Sequence, residues 1–189
     1  MELEPALELA EYLRKHLRFN TGGRAPRQIL VGSIRRGEPR AKDLDLLVVV
    51  PAAGTAAGLL ASAHLDNNTF EITSDMLKGE RHRMFKVRRE GQRRTKTVDL
   101  FLVYRSELPY ALFHYTGSKT YNIRTRAHAK HRGWLLNQYG LFYADTKKRV
   151  HGTSKISTER QLASFLDVSY RAPTDREKWD RHLGFFAIN

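Results

Sequence analysis

Apolar and polar positions follow two periods along this chain, and each switch between them marks out an element. Leu3, Ala6, Leu7, Ala10, Leu13 and Leu17 recur every three or four residues. That spacing predicts an amphipathic helix from about Glu4 to Leu17, with Pro5 in its first turn. Thr21-Gly22-Gly23 reads as a turn and Gln28-Ile29-Leu30-Val31-Gly32 as a buried strand. Gly32 to Lys42 is polar, with two glycines and a proline, and reads as a loop and a helical turn. Leu44 to Val50 is a strongly apolar strand stopped by Pro51, and Ala56 to Ala63 fits a short helix. Thr69 to Thr73 reads as a strand. Met84 to Arg89 and Lys96 to Tyr104 read as a strand pair turning at Glu90-Gly91-Gln92. Residues 1–104 thus form a helix-plus-sheet unit.

Beyond residue 104 the helical period returns. Glu107 to Tyr115 reads as a helix, broken at Thr116-Gly117-Ser118, and Ser118 is a good N-cap for a second helix to about Arg132. Gly133 ends it. Trp134 to Tyr143 supplies two short strands around Gln138-Tyr139-Gly140, with Tyr139 and Phe142 read as core. A last helix starts at Ser157-Thr158-Glu159 and runs through Phe165, and Trp179, Phe185 and Phe186 in the charged tail are candidates to dock. The expected class is α+β: a mixed sheet with helices over 1–104, then a small C-terminal α/β lobe over 105–189.

Composition narrows the function. The 189 residues, 41% apolar and 28% charged, suit a globular chain with one or two cores. The longest apolar run, Leu44 to Ala53, is broken by Asp45 and Pro51 and is too short and polar to span a bilayer. The Met-Glu-Leu-Glu start lacks the pattern of a secretory signal, so an intracellular, non-secreted protein is expected. The absence of cysteine excludes disulfides, thiolate zinc sites and cysteine nucleophiles. With 33 Lys plus Arg against 20 Asp plus Glu, the net charge of +13 favours a polyanionic partner, nucleic acid foremost. No long helix joins a basic face to a broad aromatic one, so a membrane is not expected. His128 and His131 stand at helical i, i+3 and His82 among arginines, but no third and fourth ligand completes a zinc set, and surface or DNA-facing roles are expected for them.

Three acidic residues carry the candidate chemistry. Asp43 and Asp45 lie two apart at the start of a strand, so both carboxylates point one way while Leu44, Leu46 and Val48 point the other. Adjacent anions repel, and a divalent cation with hard-oxygen preference relieves this while leaving positions for phosphate. Asp99 is a carboxylate inside the otherwise apolar Thr97-Val98-Asp99-Leu100-Phe101-Leu102-Val103, where it calls for a partner. If the two strands are neighbours, the acids converge as two-metal phosphoryl transfer requires. Just upstream, Gly32 allows a close backbone approach, Ser33 offers a hydroxyl and an N–H, and Arg36 can fork onto phosphate oxygens. A solvated strand edge or glycine turn explains either motif alone; their succession favours a phosphate site beside a metal site.

Gly32-Ser33, Arg35-Arg36 and Asp43-Leu44-Asp45 resemble the nucleotidyltransferase signature of the X-family DNA polymerases. Tyr115 to Asn122 and Arg126-Ala127-His128-Ala129 resemble its animal members. Pro109-Tyr110-Ala111, Phe113-His114, Ile123-Arg124 and Leu136 to Phe142 resemble a minimal viral member, and Tyr170-Arg171-x-Pro173 recurs in both. The resemblance runs from the first helix to about Pro173 and is weakest over 51–95. It implies a nucleotidyltransferase palm in which Asp43, Asp45 and Asp99 hold two Mg2+ ions, with Mn2+ a possible substitute. Asp43 and Asp45 would bridge both ions and Asp99 would help activate a primer hydroxyl. It implies dNTP contacts from Gly32, Ser33, Arg36, His114, Tyr115, Gly117 and Asn122, a cis peptide at Gly117-Ser118, and template-side contact from Arg126. His114 and Phe101 replace an aromatic residue and an arginine of the animal members, and the viral member lacks the asparagine at position 122. No lyase or adjoining DNA-binding domain is expected ahead of the palm.

The implied partners are a dNTP and gapped or primer–template DNA, bound by a monomer. DNA contact is expected from Lys119, Arg124, Arg126 and Lys130 on the second helix, and from Arg83, Lys86 and Arg88 in a hairpin whose Arg81, Arg89, Arg93, Arg94 and Lys96 add to its charge. The expected activity is template-directed, gap-filling DNA synthesis in repair. The alternatives are a template-independent or small-molecule nucleotidyltransferase, and an inactive DNA-binding module.

Overall fold

A computed structural model describes residues 1–21, 25–50 and 58–177. The chain divides into two compact units, Met1–Ile34 with Glu38–Arg105, and Arg35–Gly37 with the residues from Ser106. Gly22, Gly23, Ala56, Trp179, Phe185 and Phe186 lie outside the described residues.

The first unit opens with α1, Leu3–His16, which has Glu4 in its first turn and Arg14, Lys15 and His16 in its last, matching the helix dipole. Its buried stripe is Ala6, Leu9 and Leu13. Leu7, expected in that stripe, is 42% exposed: one residue past Ala6 it has turned about 100° away from the sheet. β1 (Leu17–Arg18) pairs with β4 (His64–Leu65) in a two-stranded ribbon. The main sheet comprises β2 (Arg27–Leu30), β3 (Asp43–Val50), β5 (Phe70–Lys78), β6 (His82–Arg89) and β7 (Thr95–Tyr104), in the order β2-β3-β7-β6-β5. β3 and β7 run parallel and the other pairs antiparallel. β2, expected to be buried, is an edge strand and only partly covered. β5 runs past the expected Thr73 to Lys78. Register shifts at Ile72/Ser74 and Asp75/Leu77 break its alternation, which is why the period of two fails there. Gly58 to Ser62 form turns rather than the expected helix.

Alternation sorts β3, β6 and β7 into two faces. Leu44, Leu46, Val48, Phe85, Val87, Val98 and Leu100 join Ala6, Leu9 and Leu13 of α1 in the core; each large side chain so buried contributes on the order of 1.5–3 kcal/mol. Arg83 belongs to this face and is 4% exposed. Its Nε donates to Asp75 Oδ1 at 2.6 Å and its Nη1 to the carbonyls of Leu60 and Ala63 at 2.9 and 2.7 Å. The expected DNA contact through Arg83 is therefore corrected: on β6 it has the parity of Phe85 and Val87 and points inward.

In the second unit, α3 (Leu108–Thr116), α4 (Lys119–His131) and α5 (Glu159–Phe165) surround a hairpin of β8 (Trp134–Asn137) and β9 (Gly140–Tyr143). Ser118 Oγ accepts from Tyr121 N and Thr158 Oγ1 from Gln161 N, capping α4 and α5. Tyr110, Phe113, Tyr121, Ala129, Leu136, Leu141 and Leu162 form the core. Tyr139, expected inside, is 36% exposed at the hairpin turn. His128, expected on the surface or facing DNA, instead packs with its Nε2 2.8 Å from the Leu166 carbonyl.

Candidate active site

On the sheet face opposite α1, the parallel register of β3 and β7 pairs Asp45 with Asp99 and Asp43 with Thr97. Residues in register project to the same face, and Asp43 and Asp45 share parity. All three carboxylates therefore belong to one face, built by two strands that are far apart in sequence. β6 extends that face with His82, Met84 and Lys86, opposite Phe101, Asp99 and Thr97.

The loop before β3 shapes the Asp45 side. Val31 N donates to the Asp45 carbonyl at 2.9 Å. Gly32 opens the four-residue α2 (Gly32–Arg35) with φ +66°, and a Cβ built on it would lie 1.9 Å from Asp45 Oδ2. Only glycine allows both this backbone and this approach. Ser33 follows, half-buried, with its carbonyl accepting from Glu38 N.

Asp99 is 4% exposed, and burial pushes its carboxyl above the usual carboxylate range. His82 opposes that shift through a hydrogen bond and its charge, while the nearby Asp43 adds to it. His82 Nε2 stands 2.6 Å from Asp99 Oδ1, and its ring stacks on Phe101 at 4.5 Å between centroids. Among the described residues no group of three or more His, Asp or Glu side chains stands close enough together to hold a metal ion as placed. Asp45 leans on Gly32 and Asp99 on His82. Three hard-oxygen donors on one sheet face, two of them in register, nevertheless suit a divalent cation of the magnesium type.

The second unit gathers Arg36 and the candidates from His114 to Lys130. The Gly117-Ser118 peptide is cis, as expected. Arg36 Nη1 donates to the Thr116 carbonyl at 2.6 Å, and its Nη2 pairs with Glu177 at 2.8 Å. Arg35 donates to the Thr116 hydroxyl and pairs with Glu159 at 2.6 Å. Arg176, fully buried, pairs with Glu159 at 2.8 Å and donates to the Gly117 carbonyl at 2.9 Å. Arginines thus brace the bend around Gly117 from several sides. Glu159 and Arg176 escape sequence reasoning because only folding brings them to that bend.

Beside the bend, Asn122 Nδ2 donates to the His114 carbonyl at 2.6 Å. Arg126 Nη2 donates to His114 Nδ1 at 2.6 Å. Burial, then the Arg126 charge, lowers the His114 pKa to about 4. At neutral pH the ring is therefore neutral, with Nδ1 as acceptor and the proton on Nε2. Tyr115 meets the His114 ring edge-on at 4.8 Å. His114, Asn122 and Arg126 line a shallow hollow with Tyr110, Phe113, Leu136 and Asn137. Lys119, Arg124 and Lys130 are exposed on α4. Of the hairpin, Arg88 pairs with Glu71 at 2.6 Å and Arg89 with Glu8 at 2.8 Å, while Lys86 lies on the carboxylate face.

Residues 111–177 match the DNA polymerase beta thumb family. Repair DNA polymerase X of African swine fever virus (isolate Tick/Malawi/Lil 20-1/1983) is 34% identical over 174 residues, covering 89% of this chain and 95% of the viral protein. DNA polymerase lambda of Rattus norvegicus is 28% identical over 193 residues, covering 94% of this chain and 33% of the rat protein. The ternary gap complex of Leishmania infantum polymerase beta superposes with a TM-score of 0.67 at 18% identity, covering 94% of this chain and 70% of that one, a likeness of fold.

Proposed function

The chain belongs to the X family of DNA polymerases, and we propose that it adds a deoxynucleotide to a primer 3′-hydroxyl under template direction, releasing pyrophosphate and filling short gaps in repair. The observation that carries this reading is the parallel pairing of Asp45 with Asp99, with Asp43 two residues earlier on the same face. On this reading the first unit is the palm, and the second closes over the nucleotide and DNA. Asp43, Asp45 and Asp99 would hold two Mg2+ ions, or Mn2+ in their place. When bound, the ions lower the pKa of the attacking hydroxyl and neutralise the triphosphate and leaving group.

The chain's own residues do the rest. The backbone at Gly32 and the N–H and hydroxyl of Ser33 bind triphosphate oxygens, and Arg36 adds its charge. Asp99 helps activate the 3′-hydroxyl. Gly117 lets the sugar rest against the bend, and neutral His114 with Tyr115 borders the nucleotide. Asn122 meets the minor-groove edge of the new base and Arg126 the template side, while Lys119, Arg124, Lys130, Lys86 and Arg88 meet DNA phosphates.

Primer extension on a one-nucleotide gap, with and without template, tests the proposal. Incorporation is expected only of the templated nucleotide, and Asp99→Ala is expected to abolish incorporation while DNA binding persists. Equal incorporation without template, or an active Asp99→Ala chain, would overturn it.

A further inference from the structure

His82 is not among the residues that the proposed mechanism places on substrate or metal, yet it touches the carboxylate face directly. Its Nε2 lies 2.6 Å from Asp99 Oδ1, a short hydrogen bond to a carboxylate that is 95% shielded. The imidazole is itself braced by the Phe101 ring, 4.5 Å away and 24° from parallel. The sheet register sets this geometry: His82 stands opposite Phe101 in the antiparallel pair, and Phe101 is two residues beyond Asp99 on the same face. A carboxylate anchored at one oxygen cannot turn freely, and its unengaged oxygen points in a fixed direction. A carboxylate with neither oxygen held rotates about its Cβ–Cγ bond and presents either oxygen or both.

We propose that His82, stacked on Phe101, is a positioning residue for Asp99: it holds Oδ1, so that Asp99 meets the metal and the 3′-hydroxyl through Oδ2 alone. The proposal rests on the polymerase reading for the role of Asp99. Hydrogen-bond partners of ligating groups typically change metal affinity or activity about 10–100-fold when removed. A histidine at this place thus supplies what a bare Asp99 lacks, at a position where Phe101 provides an aromatic surface instead of a second cation.

The test compares wild type, His82→Ala and His82→Gln, the last keeping an amide N–H donor at similar reach. Two readouts are taken: Mn2+ binding to the chain without DNA or nucleotide, followed by electron paramagnetic resonance, and gap filling as a function of Mg2+ concentration. His82→Ala is expected to weaken Mn2+ binding and raise the apparent KM for Mg2+ by about tenfold or more, with the KM for dNTP unchanged and His82→Gln close to wild type. Wild-type behaviour of His82→Ala in both assays would overturn the positioning role, as would a His82→Gln chain as impaired as His82→Ala. A wild-type chain that extends no primer would overturn the polymerase reading and this role with it. A wild-type chain that extends primers beside an unaffected His82→Ala chain would overturn the role of His82 alone.

Discussion

Arg83 and Lys86 lie three residues apart on a basic hairpin, and the structure assigns them opposite consequences when they are lost. Arg83→Met keeps an apolar stem but removes the donors that satisfy the carbonyls of Leu60 and Ala63 and one side of Asp75. Breaking a buried charged pair costs about 3–5 kcal/mol, and each orphaned buried acceptor about 1–3 kcal/mol. Asp75 is 24% exposed at its side chain and keeps Lys78 at 2.9 Å, so its share of the loss is the smaller one. Two orphaned carbonyls and the smaller share from Asp75 give about 3–6 kcal/mol, a large part of the roughly 5–15 kcal/mol that holds a domain folded. At roughly 2–4 °C per kcal/mol for a chain of this size, the melting temperature is expected to fall by about 6–24 °C. Arg83→Lys, keeping one donor, is expected to fall between. Lys86→Ala is expected to change stability by less than about 0.5 kcal/mol, but to reduce the slope of log K against log salt on gapped DNA by about 0.9, the share of one phosphate contact. Urea unfolding and fluorescence anisotropy across a salt series read the two effects separately. An Arg83→Met chain of wild-type stability with a shallower salt slope would show that Arg83 reaches DNA after all, and the reasoning from strand parity would fail.

Gly32→Ala forces a Cβ against Asp45 Oδ2 at a φ of +66° and is expected to cost about 1–3 kcal/mol; steady-state gap filling should fall at least tenfold, whereas full activity would show that Asp45 need not touch this loop. His114, with its pKa lowered to about 4, stays neutral where the unfolded chain, near pKa 6.5, takes a proton. Its burial therefore costs nothing above about pH 6.5 and removes stability as pH falls from there toward 4, on the order of 1–3 kcal/mol; His114→Asn should flatten that part of the pH profile of urea unfolding, and an unchanged slope would refute the assignment. Arg176→Met leaves Glu159 with Arg35 alone and the Gly117 carbonyl without this donor. It is expected to cost about 2–4 kcal/mol and to raise the KM for dNTP, and calorimetry together with kinetics checks both.

The acids were readable from the sequence because a charge in an apolar strand is costly enough to demand a reason, and a period of two puts Asp43 and Asp45 on one face. That Asp99 joins them depends on β3 and β7 lying side by side across more than forty intervening residues, which no local pattern encodes; the family resemblance alone points there. Arg83 is the instructive failure. The same alternation that sends Phe85 and Val87 inward applies to it, whereas clustered positive charge suggests DNA. Parity deserved the greater weight, because burying one face of a strand involves several residues at once, whereas a single arginine can be accommodated inside by an acid and two carbonyls. His82 shares the parity of Lys86, yet its partner was hidden, since contact with Asp99 is set by the β6–β7 register rather than by neighbours in the chain. The hairpin's formal charge consequently overstates its pull on DNA: Arg83 is spent inside, and Arg88 and Arg89 pair with Glu71 and Glu8. Exposed pairs of that kind are weak, about 0–1 kcal/mol, and yield to a phosphate; the buried one does not. Which of these arginines can turn to DNA is therefore decided by burial and facing and not by net charge, and the salt slope of DNA binding should count Arg88 but never Arg83.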